Sequence, residues 1–557
     1  MPIVLALLLC ASHAAGETPF SRNPAFSVEQ GLLERHADKA PAGRRIVFRE
    51  GGRTDRPEGY LIEESGGGIA ISSPTRRGRI YGLGRLLREN GFRGESAPAM
   101  PIRGIYFATH FGNWYDRVAE PELVRYVEDL ALWGCNQVRV WLDMHAFTGA
   151  DDPGAVKAAE RLRMILRAVE RCGLETSLLA LANEGFKGTP KAVLAEWTAQ
   201  NGYRHPPCGH YHTEICPSKP GGLDLILRER EQVFDLFADI RISDVQIFPY
   251  DQGGCTCAGC APWGSNGMFL VLPKLSELVR RKFPGARINV ATWRFDVFGD
   301  LGEWKGLFAR GEELGKYADE VTIERYDLLK NGSPGGLPVS SMAEISMSGM
   351  LPWGGYGANP RPKFCAQLVA SGQGRIAGFR PYSEGIYEDM NKVLFLVLGW
   401  DPSKTWQRAV AEYADFHFGK GIAEPVVTVA GILEENLRHE ASMVQDGKRY
   451  GVYNAVNVDR KRPYGFEFAT RRPRPDSHKA LHATDLLASA EKRLAPEVRA
   501  SWRWRILRLR AEIDERLSED APLDDPEIVR ALRELAAIYC ADSGTEAYLA
   551  PPVALKR

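Results

Sequence analysis

Apolar runs rich in β-branched and aromatic residues recur from residue 104 to about 400. Each is followed by loop residues and then by apolar positions at helical spacing. The runs cover 104–108, 136–142, 176–181, 244–248, 287–291, 320–323, 340–346 and 375–379. Behind the first, Leu123, Tyr126, Val127, Leu130 and Trp133 line one face of a predicted helix with Pro121 near its start. This alternation predicts an α/β fold, a (β/α)8 TIM barrel over 101–401. A doubly wound nucleotide-binding sheet is disfavoured, because neither GxGxxG nor GxxxxGK[ST] follows any run. Two intervals depart from the length of one unit. A gap of roughly 70 residues after the third run signals an insertion over 185–222. A gap of about 20 between the sixth and seventh means that one crossover is degraded or one strand misplaced.

The pattern changes on both flanks. Residues 20–100 read as a small α/β domain, with strands at 45–48, 59–63 and 68–72, a helix over 79–89 and a linker over 96–101. Beyond 402, helical spacing over 406–418, 427–438, 478–495, 500–517 and 526–541 predicts a helical domain extending to 545. Residues 3–11 are apolar and lead into Ser12-His13-Ala14-Ala15, a small-residue cleavage pattern, although no Lys or Arg precedes them. Residues 1–15 therefore read as a signal peptide, and the protein as secreted or periplasmic. A lipoprotein reading through Cys10 is weakened by the bulky Leu9. No later stretch is long and apolar enough to predict a membrane span.

Composition narrows the partners. Lys+Arg and Asp+Glu both total 71 in 557 residues, so no global field draws the chain to nucleic acid. A hydrophobic content of 44% excludes a disordered chain. Aromatics reach 10%, with 12 Trp, a ready supply of flat apolar faces for stacking on sugars. Beyond Cys10, Cys208 and Cys216 form one cysteine cluster and Cys255-Thr-Cys257-Ala-Gly-Cys260 another. Disulfides or free buried thiols are the expected state. Zinc would require Cys208, Cys216 or one of His205, His210 and His212 to join the second cluster. No resident metal and no cofactor are assigned.

In barrel enzymes the site is built where the strands end, and the predicted strand ends are acidic and aromatic. Every position but the first offers a carboxylate. The first gives His110, the second Asp143, and the third Asn183-Glu184. The fourth gives Tyr250-Asp251 before two glycines, the fifth Trp293-Arg294, and the sixth Glu324 and Tyr326. The seventh gives Glu344, Trp353 and Tyr356, and the eighth Tyr382-Ser383-Glu384. Glycosidic cleavage needs one protonated carboxyl and a second group that activates water, attacks the anomeric carbon or holds a substrate amide. Asp251, Glu384 and Glu324 are the candidate catalytic residues. His110, Asn183, Glu184, Tyr250, Trp293, Arg294, Tyr326, Trp353, Tyr356 and Tyr382 are the candidate sugar ligands. Asp143 and Glu344 read as readily as structural partners of a barrel arginine such as Arg139. Glu384 could equally sit in the first turn of a helix beginning near Ser383.

The segments 59–63, 68–72 and 79–87, followed by Pro101-Ile-Arg-Gly-Ile-Tyr106, resemble the small domain and first barrel strand of β-N-acetylhexosaminidases and α-glucuronidases. Cys216-Pro-Ser-Lys-Pro220, 251–260 and Trp400-Asp-Pro402 are similar to a bacterial domain associated with endo-acting β-N-acetylglucosaminidases. The resemblance covers about 60–420. It implies a secreted glycoside hydrolase acting on amino-sugar glycans, with a carbohydrate as its partner and with the substrate's acetamido group as a conceivable nucleophile. Hexosaminidases carry an Asp-Glu pair after the fourth strand, whereas this chain has Asp251-Gln252, so those roles do not transfer directly. An α-glucuronidase-like hydrolase, with Arg294 gripping the uronate, and a noncatalytic glycan-binding barrel are the alternatives.

Overall fold

In the computed structural model, the described residues are 24–52, 56–109, 113–196, 213–249, 254–293, 295–296, 302–323, 329–330, 332–343, 345, 358–436, 444–445, 448–449, 475–522 and 525–542. Contacts divide the chain into two units, Met1–Ser96 and Ala97–Arg557.

The first unit holds strands β1 (Ile46–Glu50), β2 (Tyr60–Ser65), β3 (Gly68–Ser73) and β4 (Gly94–Ser96), in the order β1-β3-β2-β4. A helix over Arg76–Arg88 starts where the Thr75 hydroxyl accepts from Gly78 N, and it buries Ile80, Leu83 and Leu86. It lies close to the sheet at Gly82, where a Cβ would sit 2.6 Å from Ile71 Cγ2. Behind it, Arg79 pairs at 2.7 Å with the buried Glu29. Ser96 belongs to β4, opposite Tyr60, so the predicted linker overlaps a strand.

The second unit is built on a closed parallel barrel. Its strands are β5 (Ile102–Phe107), β6 (Gln137–Trp141), β7 (Glu175–Leu181), β8 (Asp244–Phe248), β9 (Arg287–Ala291), β10 (Glu320–Ile323), β11 (Val339–Ser341), β12 (Gly378–Phe379) and β13 (Tyr382–Ser383). All eight predicted runs are strands of this barrel, and the (β/α)8 expectation is met. Between β10 and β11 the described residues hold only 3-10 turns, and a strand stands at each end of the short interval. The seventh strand ends at Ser341, short of the predicted 346.

The eighth strand is broken in two. Gly378 and Phe379 pair with Ile102 and Arg103, whereas Tyr382 and Ser383 pair with Tyr106 and Phe107. Pro381, which has no N–H to give a ladder, sits at the break. At Gly378 the backbone has φ +147°, and a Cβ would lie 1.9 Å from Ile102 O, so only glycine fits.

The barrel's waist is polar and dry. Arg139 donates to Asp244 at 2.7 Å, and Ser177 bonds both residues. Arg380 pairs with Glu320 and reaches Ser340 at 2.7 Å, while Gln246 donates to Asn289 and Thr322 at 3.0 Å each. Each buried guanidinium meets a buried carboxylate, which such ions require to offset their desolvation. Arg139 thus takes Asp244, whereas Asp143 pairs with His145.

The helices Trp406–Phe418, Ala423–Asn436, Ser477–Glu491, Trp502–Ser518 and Pro526–Tyr539 belong to this same unit. They reach the mouth through Tyr539, whose ring lies 5.3 Å from that of Tyr387.

Candidate active site

Above the waist, Tyr106, Ala108, Trp141, Leu179, Leu181, Phe248, Ala291 and Met342 form an apolar floor. Trp293 and Tyr382 pack on it while staying partly exposed. Trp293 stacks on Phe248 at 6.1 Å, and Tyr382 stands edge-on to Tyr106 at 5.2 Å. Two aromatic rings on a dry floor at the C-terminal mouth suit the apolar face of a sugar.

Carboxyl groups stand around that floor. Glu184 follows β7 and is 1% exposed. Its Oε1 accepts from Met144 N at 2.8 Å, and its Oε2 accepts from Arg230 at 3.2 Å and the Trp141 indole at 3.4 Å. Burial pushes this carboxyl up to about 7, against the pull of the Arg230 guanidinium. Arg230 comes from the helix Gly222–Asp235 and also donates to Leu181 O at 2.7 Å, so it fixes the strand end together with the acid. A carboxyl poised near neutrality is what general acid catalysis uses.

Glu384 follows β13 and is also 1% exposed. Its Oε1 accepts from the Tyr382 hydroxyl at 2.7 Å. The next helix, Asp389–Trp400, begins five residues later, so Glu384 is a strand-end residue and not the first turn of a helix. Its backbone is held by neighbours. The Ser383 hydroxyl bonds Tyr115 at 2.7 Å and Glu388 at 2.9 Å, and the buried Lys392 donates to Gly385 O at 2.7 Å.

The phenol of Tyr106 feels the charge of both acids. Burial holds it well above its ordinary range, against the charge of Arg139 and with those of Asp143, Glu184 and Glu384. Asp143, Glu184 and Glu384 come from three strand ends, and the charge of each reaches the buried Tyr106 phenol. Asp143 pairs with His145. Asp143, His145 and Glu184 could each offer one ligand atom within 4.8 Å of the others. Both Glu184 oxygens already accept hydrogen bonds, and Arg230 stands beside them, which disfavours a cation there.

Asn183 has a bracing role. Its amide donates to Ile215 O at 3.0 Å and to Glu214 at 3.2 Å, holding the insertion against the end of β7. A raised pKa alone does not mark a catalyst, as Glu303 shows. Burial pushes it up to about 7, yet its oxygens accept from Asp296 N and Gly264 N and brace a loop. His110, Tyr250, Asp251, Arg294, Glu324, Tyr326, Glu344, Trp353 and Tyr356 lie outside the described residues. Sequence reasoning missed Arg230 and Tyr106. Tyr106 was visible as an aromatic alternating inward on the first strand, whereas nothing in a helix pattern marks Arg230.

All eight described cysteines are free thiols, so of the two expected states, disulfides or free buried thiols, it is the thiols that are found. Cys135, Cys172, Cys365 and Cys540 are buried thiols; the other four gather beside the mouth.

No family model matches the chain, and no curated protein matches it. Solved structures do. A family 89 glycoside hydrolase from Clostridium perfringens, bound to GlcNAc-alpha-1,4-galactose, matches with TM-score 0.54 at 12% identity, over 88% of this chain and 61% of that one. The same family's hydrolase from Clostridium perfringens, bound to 2-acetamido-1,2-dideoxynojirmycin, gives 0.56 at 12% identity, over 94% and 63%. A family 138 enzyme targeting pectin rhamnogalacturonan II gives 0.58 at 11% identity, over 92% and 69%. This is a fold found in glycoside hydrolases. The chain spans under two thirds of the length of the family 89 structures it matches, and at these identities the likeness is one of fold.

Proposed function

We propose that the protein is a glycoside hydrolase acting on amino-sugar-containing glycans, with Glu184 as proton donor and Glu384 as the second carboxylate. The observation that carries this reading is the buried Glu184 at the barrel mouth, pushed up to about 7, with Glu384 equally buried at the end of β13 in the same barrel. In the reaction, the Glu184 proton passes to the glycosidic oxygen as the bond from that oxygen to the anomeric carbon breaks. Glu384 then attacks that carbon or takes a proton from the incoming water. Trp293 and Tyr382 hold the sugar face. The choice of an N-acetylated sugar draws support from the family 89 structures, whose bound molecules carry acetamido groups, and from the sequence resemblance. In a substrate-assisted variant Asp251 orients the acetamide. The apolar stretch at 3–11 makes export part of the same proposal.

The test is a panel of aryl N-acetyl-α- and β-glucosaminides, N-acetyl-β-galactosaminide and α-glucuronide, together with a complex N-glycoprotein. Release from an N-acetylated substrate that is lost in Glu184→Gln and Glu384→Gln is expected, and Asp251→Asn reports on acetamide participation. Turnover of the α-glucuronide alone would overturn the sugar class. Glycan binding without hydrolysis would favour the noncatalytic barrel.

A further inference from the structure

Two loops beside the mouth bring four cysteines together. The loop after β7 runs back along itself through the bridges Glu184–Glu214 and Leu194–Ile215, and Cys216 follows directly. The loop after β8 supplies Cys255, Cys257 and Cys260, with Cys260 N and Ala261 N both donating to Cys257 O at 2.9 Å in a tight turn. Gly259 lets the two loops approach, since a Cβ there would lie 2.8 Å from the Ser218 side chain.

The four sulfurs lie within 4.8 Å of one another. Cys216 Sγ is 3.6 Å from Cys257 Sγ and 3.8 Å from Cys260 Sγ. A disulfide needs sulfurs about 2.05 Å apart, far shorter than these separations. Four sulfurs placed tetrahedrally about 2.3 Å from a zinc ion would stand about 3.8 Å from each other, which these distances match. Groups that stabilise thiolates surround the cluster. Glu196 N donates to Cys255 Sγ at 3.3 Å, and the Ser218 hydroxyl lies 3.1 Å from Cys216 Sγ and 3.2 Å from Cys257 Sγ. Lys219 is held nearby by Leu194 O and the Glu196 carboxylate at 2.9 Å each, bringing a positive charge to offset the excess negative charge of a tetrathiolate site. Four thiolates fill the tetrahedral shell of a zinc ion and leave no position for a catalytic water, and three of the four cysteines are buried.

We propose that Cys216, Cys255, Cys257 and Cys260 bind one structural zinc ion that ties the loop after β7 to the loop after β8. The first loop closes against Glu184 through the Glu184–Glu214 bridge and the second follows β8, so the ion sets two walls of the mouth. The set is complete without Cys208 or the histidines near it.

The experiment uses the full chain expressed with zinc, with metal measured by plasma mass spectrometry and cysteine states by peptide mapping. About one zinc per chain is expected, falling at least tenfold in Cys257→Ser and Cys260→Ser but not in Cys172→Ala. Should the variants fail to fold, the wild-type chain grown with cobalt gives an independent reading, the visible absorption of a tetrahedral tetrathiolate cobalt site. Recovery of these four residues as disulfides in metal-free protein would overturn the proposal. Free thiols that take up neither zinc nor cobalt would overturn it equally. None of these readouts depends on glycan hydrolysis, so this proposal and the functional one can fail separately.

Discussion

The waist and the mouth of the barrel are both lined by charge, yet they spend it differently. At the waist, Arg139 answers Asp244 and Arg380 answers Glu320, and hydroxyls and amides fill the gaps between them. At the mouth, Asp143 pairs with His145, Glu184 with Arg230, and Glu384 accepts from the Tyr382 hydroxyl, while the charges of all three carboxyl groups and of Arg139 reach the Tyr106 phenol. A matched network fixes shape. Burial of Glu184, in spite of its arginine, raises its proton affinity, and that is a chemical resource.

The comparison breaks most visibly by neutralising one acid from each level. Glu184→Gln is expected to lower kcat/KM on the cleaved glycoside by about 10²–10⁴-fold while leaving Tm nearly unchanged. Asp244→Asn strands a buried guanidinium and should cost about 3–5 kcal/mol in denaturant unfolding, with little change in kcat per folded molecule. If the two phenotypes were exchanged, the division of labour would be wrong.

A finer test concerns proton affinity. Activity that needs protonated Glu184 is full below about pH 7 and falls as pH rises through that value. Arg230 favours the anion and so lowers this pKa. Removing it in Arg230→Met should therefore move the falling limb of kcat/KM to higher pH. A limb that stays put, or moves down, would mean that Glu184 is not the titrating group. The smallest expected effect is at the platform. Trp293→Ala should raise KM severalfold with kcat retained, in line with about 0.5–1.5 kcal/mol for an aromatic contact, as read from steady-state kinetics on the best substrate of the panel.

The barrel was legible because strand runs such as 244–248 and 287–291 are short, apolar and spaced by helices. The close succession of β10 and β11 showed as a short interval. The waist was not legible. Arg139, Gln246 and Asn289 sit inside runs that read as core, and their partners come from other strands, a relation that periodicity along one strand does not carry. Glu184 was visible at a strand end but read as a sugar ligand, because the cause of its raised pKa is burial. Its neighbour Arg230 lies 46 positions away on a helix. The cysteines suffered the same limit, since Cys216 and Cys257 are 41 positions apart and spacing alone left disulfide and metal both open.

The broken eighth strand has a consequence for the order of folding. Its two halves meet β5 at Ile102 and Tyr106, partners roughly 280 positions away along the chain, a separation that makes contacts late and slow to form. Tyr382 and Glu384 arrive with that strand. The neighbouring βα units can form from local pairings, but the site acquires its second carboxylate only when the ring of strands closes. Recovery of activity on refolding therefore times the closure of the barrel itself.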